Sequence, residues 1–208
     1  QMDEAEIVRA MRHVGLGIDQ GGIGIGLLLD YLDDAVSDGE LEALFTTAAD
    51  RRAPLFIHIR RGIAGDPSGL IEVIELAKRT GASIHICHLS ASAMGGIDNF
   101  LELVDEALAA GVDISAESYP YNAGSTSIGA DVFNRDWKSI FGITYSDVQL
   151  AETGEFFTKA RWDEVRAEDP GATIIHHYGR EDWTQRAMVS SAMMIGSDAM
   201  PIFSKKIK

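Results

Sequence analysis

The stretch "PLFIHIR", residues 54–60, is a short run of apolar and β-branched residues led by a proline, with a single histidine, His58, near its end. It is too short for a buried helix and rich in strand-forming types, so it predicts a strand. Downstream, Asp66-Pro67 opens a helix with Leu70, Ile71, Ile74 and Ala77 on one face, ending at Gly81. "ASIHICHL" (82–89) predicts the next strand, and a helix with Phe100, Leu101, Val104 and Leu108 on its apolar face follows. Gly111 closes that helix and leads into "VDISAESYPY" (112–121). Upstream, "IGIGLLLDY" (23–31) predicts a strand, and Ser37 with Glu40 forms a capping box for a helix through about Arg52. Strand starts near 23, 54, 83 and 112 recur every 30 residues or so, roughly the length of one βαβ unit. The rhythm predicts an α/β fold with a parallel sheet.

Outside this repeat, "DEAEIVRAMRHV" (3–14) predicts a helix that Gly15 and Gly17 stop. Residues 122–190 break the rhythm with "NAGSTS", "RDWKSIFG" and the amphipathic "EFFTKARWDEVRAE" (155–168). They are expected to be a loop-rich insertion within one unit covering 1–208. "ATIIHHY" (172–178) and "AMMIGSDAM" (192–200) return to strand-like runs.

The 208 residues, 46% hydrophobic, suffice for one domain with a sizeable core or a large piece of a bigger one. A net charge of −14 repels phosphate backbones and anionic membranes, which argues against nucleic acid or a membrane surface as partner. One cysteine allows no internal disulfide, which suits the cytoplasm. No run approaches the roughly 20 apolar residues of a membrane helix, and no signal-peptide pattern opens the chain.

The glycines of "GLGIDQGGIGIG" do not make a dinucleotide fingerprint, because Gln20 holds the third glycine position counted from Gly15. Cys87 and His88 would form a thiol–base pair only if their side chains met, and neighbours on a strand diverge. Alternation puts Ile84, Ile86 and His88 on one face, and His85, Cys87 and Leu89 on the other. His88 is then expected inside a barrel, and Cys87 against the helix layer as a structural residue. Phe56, His58 and Arg60 likewise share a face. His58 and His88 thus stand near the carboxyl ends of adjacent strands, where α/β folds bind ligands. Asp198 in "MIGSDAM" again ends an apolar run, and a carboxylate there is costly unless paired or bound to a cation. Two imidazoles and a carboxylate suit a borderline ion such as zinc with an open position for water. His176 and His177 diverge on their strand, and His13 reads as a surface or helix-end residue.

"FIHIR", "IHICHLS", "ESYPYNAGSTS" and "MIGSD", in that order, resemble the later barrel strands of the amidohydrolase superfamily, in its D-aminoacylase (N-acyl-D-amino-acid deacylase) branch. "IGIGLLLDY" resembles the branch's preceding strand, which ends in a tyrosine. The resemblance implies a metal-dependent (β/α)8 TIM-like barrel, of which the chain holds roughly strands 4 to 8. His58 and His88 would be metal ligands on the fifth and sixth strands, with Asp198 the general base and a ligand of a second ion. The implied cofactor is Zn2+, one or two ions, or another divalent metal. Tyr31, Tyr119 and Ser125 would line the substrate pocket. Arg60 is added from its place on the face of His58, as a cation for a substrate carboxylate.

The implied activity is hydrolysis of a non-peptide C–N bond in a small amide, an N-acyl-D-amino acid, by a metal-activated water. The alternatives are a cyclic amidase of the hydantoinase or dihydroorotase kind, and a non-catalytic barrel serving as a binding module. Two departures stand out. Ser90 replaces the branch's lysine two residues after the sixth-strand histidine. The first-strand His-x-His and the bridging cysteine or lysine have no counterpart here. A (β/α)8 barrel needs about 250 residues, so the chain is expected to be an internal portion of a longer enzyme. Taken as a whole molecule, it would need a partner or a homo-oligomer to cover its strand edges.

Overall fold

Residues 1–32 and 35–199 are described by the computed structural model. Helix α1 (Glu4–Asp19) is opened by Asp3, which accepts from the Glu6 N–H while Glu6 reaches back to the Asp3 N–H. It runs through Gly15 and Gly17, where a stop was expected. Gly15 is buried, and a Cβ there would lie 2.3 Å from the Arg51 guanidinium, so this glycine makes room for a neighbour. The chain turns only at Gly21, with φ +109°.

Then come β1 (Ile25–Leu28), the single turn α2 (Leu29–Leu32) and α3 (Asp38–Asp50), capped by Ser37 and Glu40 as the sequence suggests. β2 (Leu55–His58), α4 (Ser68–Thr80), β3 (Ile84–Ile86), α5 (Leu89–Ala93), α6 (Ile97–Ala109) and β4 (Ile114–Ser118) continue the alternation. After β4 the chain forms β5 (Gly124–Ser127), α7 (Trp137–Phe141), β6 (Val148–Leu150), α8 (Lys159–Glu168), β7 (Thr173–His176), α9 (Glu181–Val189) and β8 (Met193–Ile195).

The main sheet has the order β1-β2-β3-β4-β8, with every pair parallel. This is the parallel α/β sheet that the sequence period predicts. One face packs on the helices: Leu55, Ile57, Ile84, Ile86, Ile114 and Ala116 join Phe45, Leu70, Val73, Phe100 and Val104 in one core. The other face carries Leu28, Phe56 and Met194, all exposed.

The two faces of β3 are the reverse of the alternation argument. Ile84 and Ile86 enter the helix-side core, while His85 stacks edge-on to Phe56 at 5.5 Å on the open side. In a parallel strand both faces are apolar, so hydrophobicity does not mark which face meets the helices. His88 nevertheless reaches the side of His58, because β3 stops at Ile86 and His88 takes φ +36° and ψ 51°. The strand's alternation ends before it.

Residues after Tyr121 build a second, antiparallel sheet of order β5-β7-β6, so "ATIIHHY" pairs here and not in the main sheet. Its core is aromatic, with Phe133, Trp137, Phe141, Trp162 and Tyr178 clustered around Ile174. Among the described residues no helix is long and apolar enough to cross a membrane.

Candidate functional site

The histidine pair lies where β2 and β3 end. His58 is the last residue of β2, and His88 sits at the start of α5. Both are buried, and their rings meet edge to face with centroids 4.5 Å apart. Nε2 of His58 and Nδ1 of His88 are buried with no hydrogen-bond partner among the described residues. Burial is the main cause lowering both imidazole pKa values, most strongly at His88, so each stays neutral near pH 7 and keeps a lone pair to offer.

Asp30, in the one-turn helix after β1, is the neighbour that the sequence reading missed. It is 2% exposed, with Oδ2 3.5 Å from His58 Nε2. Its Oδ1 accepts from the Arg61 N–H at 3.0 Å and from Arg135 Nη2 at 2.7 Å. Burial pushes this carboxyl upward, but His58, Arg61 and Arg135 together outweigh it and hold its pKa far below the carboxylate range. Asp30 is therefore a buried, paired anion beside an unpartnered imidazole nitrogen.

Two tyrosines complete the wall. The Tyr31 ring lies 5.2 Å from His58, and its hydroxyl is 3.4 Å from Thr126 Oγ1. Tyr119 lies 6.3 Å from His88 and is hydrogen-bonded to the Tyr178 hydroxyl at 2.8 Å. Burial and Tyr178 keep the Tyr119 phenol protonated. A narrow cavity beside Tyr119 and Tyr178 is lined also by Ser90, Arg180 and Trp183. Ser90, where the resembled branch has lysine, is bonded to Ser118 Oγ at 2.5 Å, so the cation on this cavity is Arg180.

Three expected residues stand elsewhere. Arg60 binds Glu72 on α4, because β2 has already ended and Arg60 no longer follows the His58 face. Arg61 is the cation on the site side: its charge acts on His58, His88, Tyr119 and Asp198. Ser125 is exposed on β5, and its neighbour Thr126, on the opposite face, meets Tyr31. Asp198 lies in the loop after β8 at φ +48° and does not join the two histidines in a three-donor cluster among the described residues. Although solvent reaches Asp198, the protein packed about its carboxyl, and then Glu117, push its pKa up, while Arg61 opposes them.

The two histidines thus stand at the ends of adjacent strands of a parallel α/β sheet. No family model matches the chain. It is 30% identical over 205 residues to an N-acyl-D-glutamate deacylase of Alcaligenes xylosoxydans xylosoxydans, covering 93% of this chain and 41% of that protein. The crystal structure of N-acyl-D-glutamate deacylase from Bordetella bronchiseptica, complexed with zinc and a phosphonate inhibitor, superposes with a TM-score of 0.78 at 24% identity. That match covers 94% of this chain and 43% of that one. A D-aminoacylase described as defining a novel subset of amidohydrolases gives 0.73 at 20% identity over the same shares. The chain is thus similar in sequence to an N-acyl-D-glutamate deacylase and shares its fold with D-aminoacylases, and it spans about two-fifths of the length of the relatives it matches.

Proposed function

We propose that this chain is the later-strand portion of a divalent-metal amidohydrolase that removes the acyl group from an N-acyl-D-amino acid. One observation carries the reading: two buried, neutral imidazoles in contact, each with a ring nitrogen that has no hydrogen-bond partner among the described residues. Such nitrogens are costly to bury unless something accepts their lone pairs. The donor set fits a zinc-type ion, with His58 and His88 as the ligands from this chain. When bound, the ion supplies Lewis acidity, polarising the scissile carbonyl and acidifying water.

The chain's own groups do the rest. Asp30, fixed by Arg61 and Arg135, faces His58 Nε2 and favours a cation beside that ring. Arg61 is the guanidinium for the substrate carboxylate in place of Arg60, and Arg180 offers a second positive group on the narrow cavity beside Tyr119. Tyr31 and Tyr119 wall the pocket and limit water entry. Asp198 is the general base, taking a proton from the attacking water and delivering it to the departing nitrogen. Its raised pKa makes it a stronger base towards the attacking water than an ordinary carboxylate.

The test compares two variants for metal content and for release of free amine from N-acyl-D-amino acids. His88→Ala is expected to lose metal. Asp198→Asn is expected to retain metal and lose at least about 100-fold in turnover. Equal turnover in Asp198→Asn and the parent sinks the mechanism.

A further inference from the structure

The open face of the main sheet carries another group of donor atoms. His85 on β3 and Ser115 on β4 are register partners, and Glu117 lies two residues further along β4, level with Cys87 just past β3. Residues two apart on a strand share a face, so the three side chains project together. One ligand-capable atom each from His85, Cys87 and Glu117 lies within 4.8 Å of the others.

The surroundings are those of a built site. Nδ1 of His85 is hydrogen-bonded to Ser115 Oγ at 2.8 Å, which fixes the ring and leaves Nε2 directed to Glu117 Oε2 at 3.7 Å. Holding a ligating histidine by its other nitrogen is the usual support at metal sites. The separation of 3.7 Å is too long for a hydrogen bond. It is close to the spacing of two donors that share one ion through bonds of about 2.0–2.2 Å. The loop after β8 closes over the carboxylate at Gly196, where a Cβ would lie 2.6 Å from Glu117 Oε2.

We propose that His85, Cys87 and Glu117 form a second site for a zinc-type divalent cation, separate from the His58–His88 pair. A thiolate, an imidazole and a carboxylate select a borderline ion over magnesium or calcium, and three protein ligands leave a fourth position for water. The site stands independently of the deacylase reading, since it needs no substrate and no turnover.

Cobalt(II) added to metal-free protein tests it. The chain has one cysteine, so thiolate-to-cobalt charge-transfer absorption reports on Cys87 alone. The band is expected to saturate with a single ion and to persist in His58→Ala/His88→Ala. Ser115→Ala is expected to weaken the binding that the band reports by about tenfold. Circular dichroism of each metal-free variant checks that it is folded, and His88→Asn replaces the double variant if that one is not. No band in the parent overturns the proposal. A band lost from the folded histidine variant overturns it too, because Cys87 then serves the histidine pair. Unchanged cobalt affinity in both His85→Gln and Glu117→Gln does the same.

Discussion

Asp30 shows how much one residue organises. Its carboxylate is held by the Arg61 backbone and the Arg135 guanidinium, with His58 Nε2 3.5 Å away, all in a place with almost no solvent. Removing one charge from such a group leaves the others buried and unpaired. Asp30→Asn is therefore expected to cost about 3 kcal/mol or more in denaturant unfolding. Glu72→Gln, which breaks the more exposed pair with Arg60, is expected to cost under about 1 kcal/mol. Equal losses in the two would contradict this account of the network. The sequence contained the signal for Asp30: a carboxylate after the apolar run "GLLL", the same cue that singled out Asp198. Arg135 had no such cue, since it enters the site from a region without helical or strand periodicity.

At the scale of elements, the βα rhythm was legible because each unit buries a regular apolar face. All four strand starts in the repeat fall within two residues of the observed β1, β2, β3 and β4. The second sheet was harder to read. β5 is "GSTS", with no apolar alternation, and its partner β7 lies far along the chain. What holds that sheet is His176 packed among Phe133, Phe141 and Tyr178, and this gives it a pH dependence. Burial, with Arg61 and His177, pushes the His176 pKa down to about 3, against about 6.5 in an unfolded chain. Between those values the unfolded chain binds the extra proton, so stability is full above the upper value and falls as pH drops towards the lower one. The parent should lose about 1.4 kcal/mol more per pH unit than His176→Phe across that window, read from urea midpoints. Parallel pH profiles would show that His176 is not buried as a neutral ring. Helix α4 offers a second check. A Cβ at Gly69 would lie 2.2 Å from the Arg60 carbonyl oxygen. Gly69→Ala should therefore destabilise by about 1–3 kcal/mol despite alanine's better helix propensity.

For the whole molecule, cation binding and folding are one equilibrium. An ion that binds only the folded state at 100 times its Kd adds about 2.7 kcal/mol. Zinc should accordingly raise the Tm, a chelator should reverse the rise, and an unchanged melt would count against both cation assignments. The order β1-β2-β3-β4-β8 has one further consequence. The first four strands pair with sequence neighbours, whereas β8 reaches β4 only after the second sheet has been passed. Closing that long a loop delays the last pairing during folding more than it weakens the final structure. β8 should thus arrive last and open first, with its amides exchanging hydrogen faster than those of β2 and β3. Asp198 follows β8 by three residues. The proposed base would then be the last group put in place as the chain folds, and the histidine pair would be assembled before it.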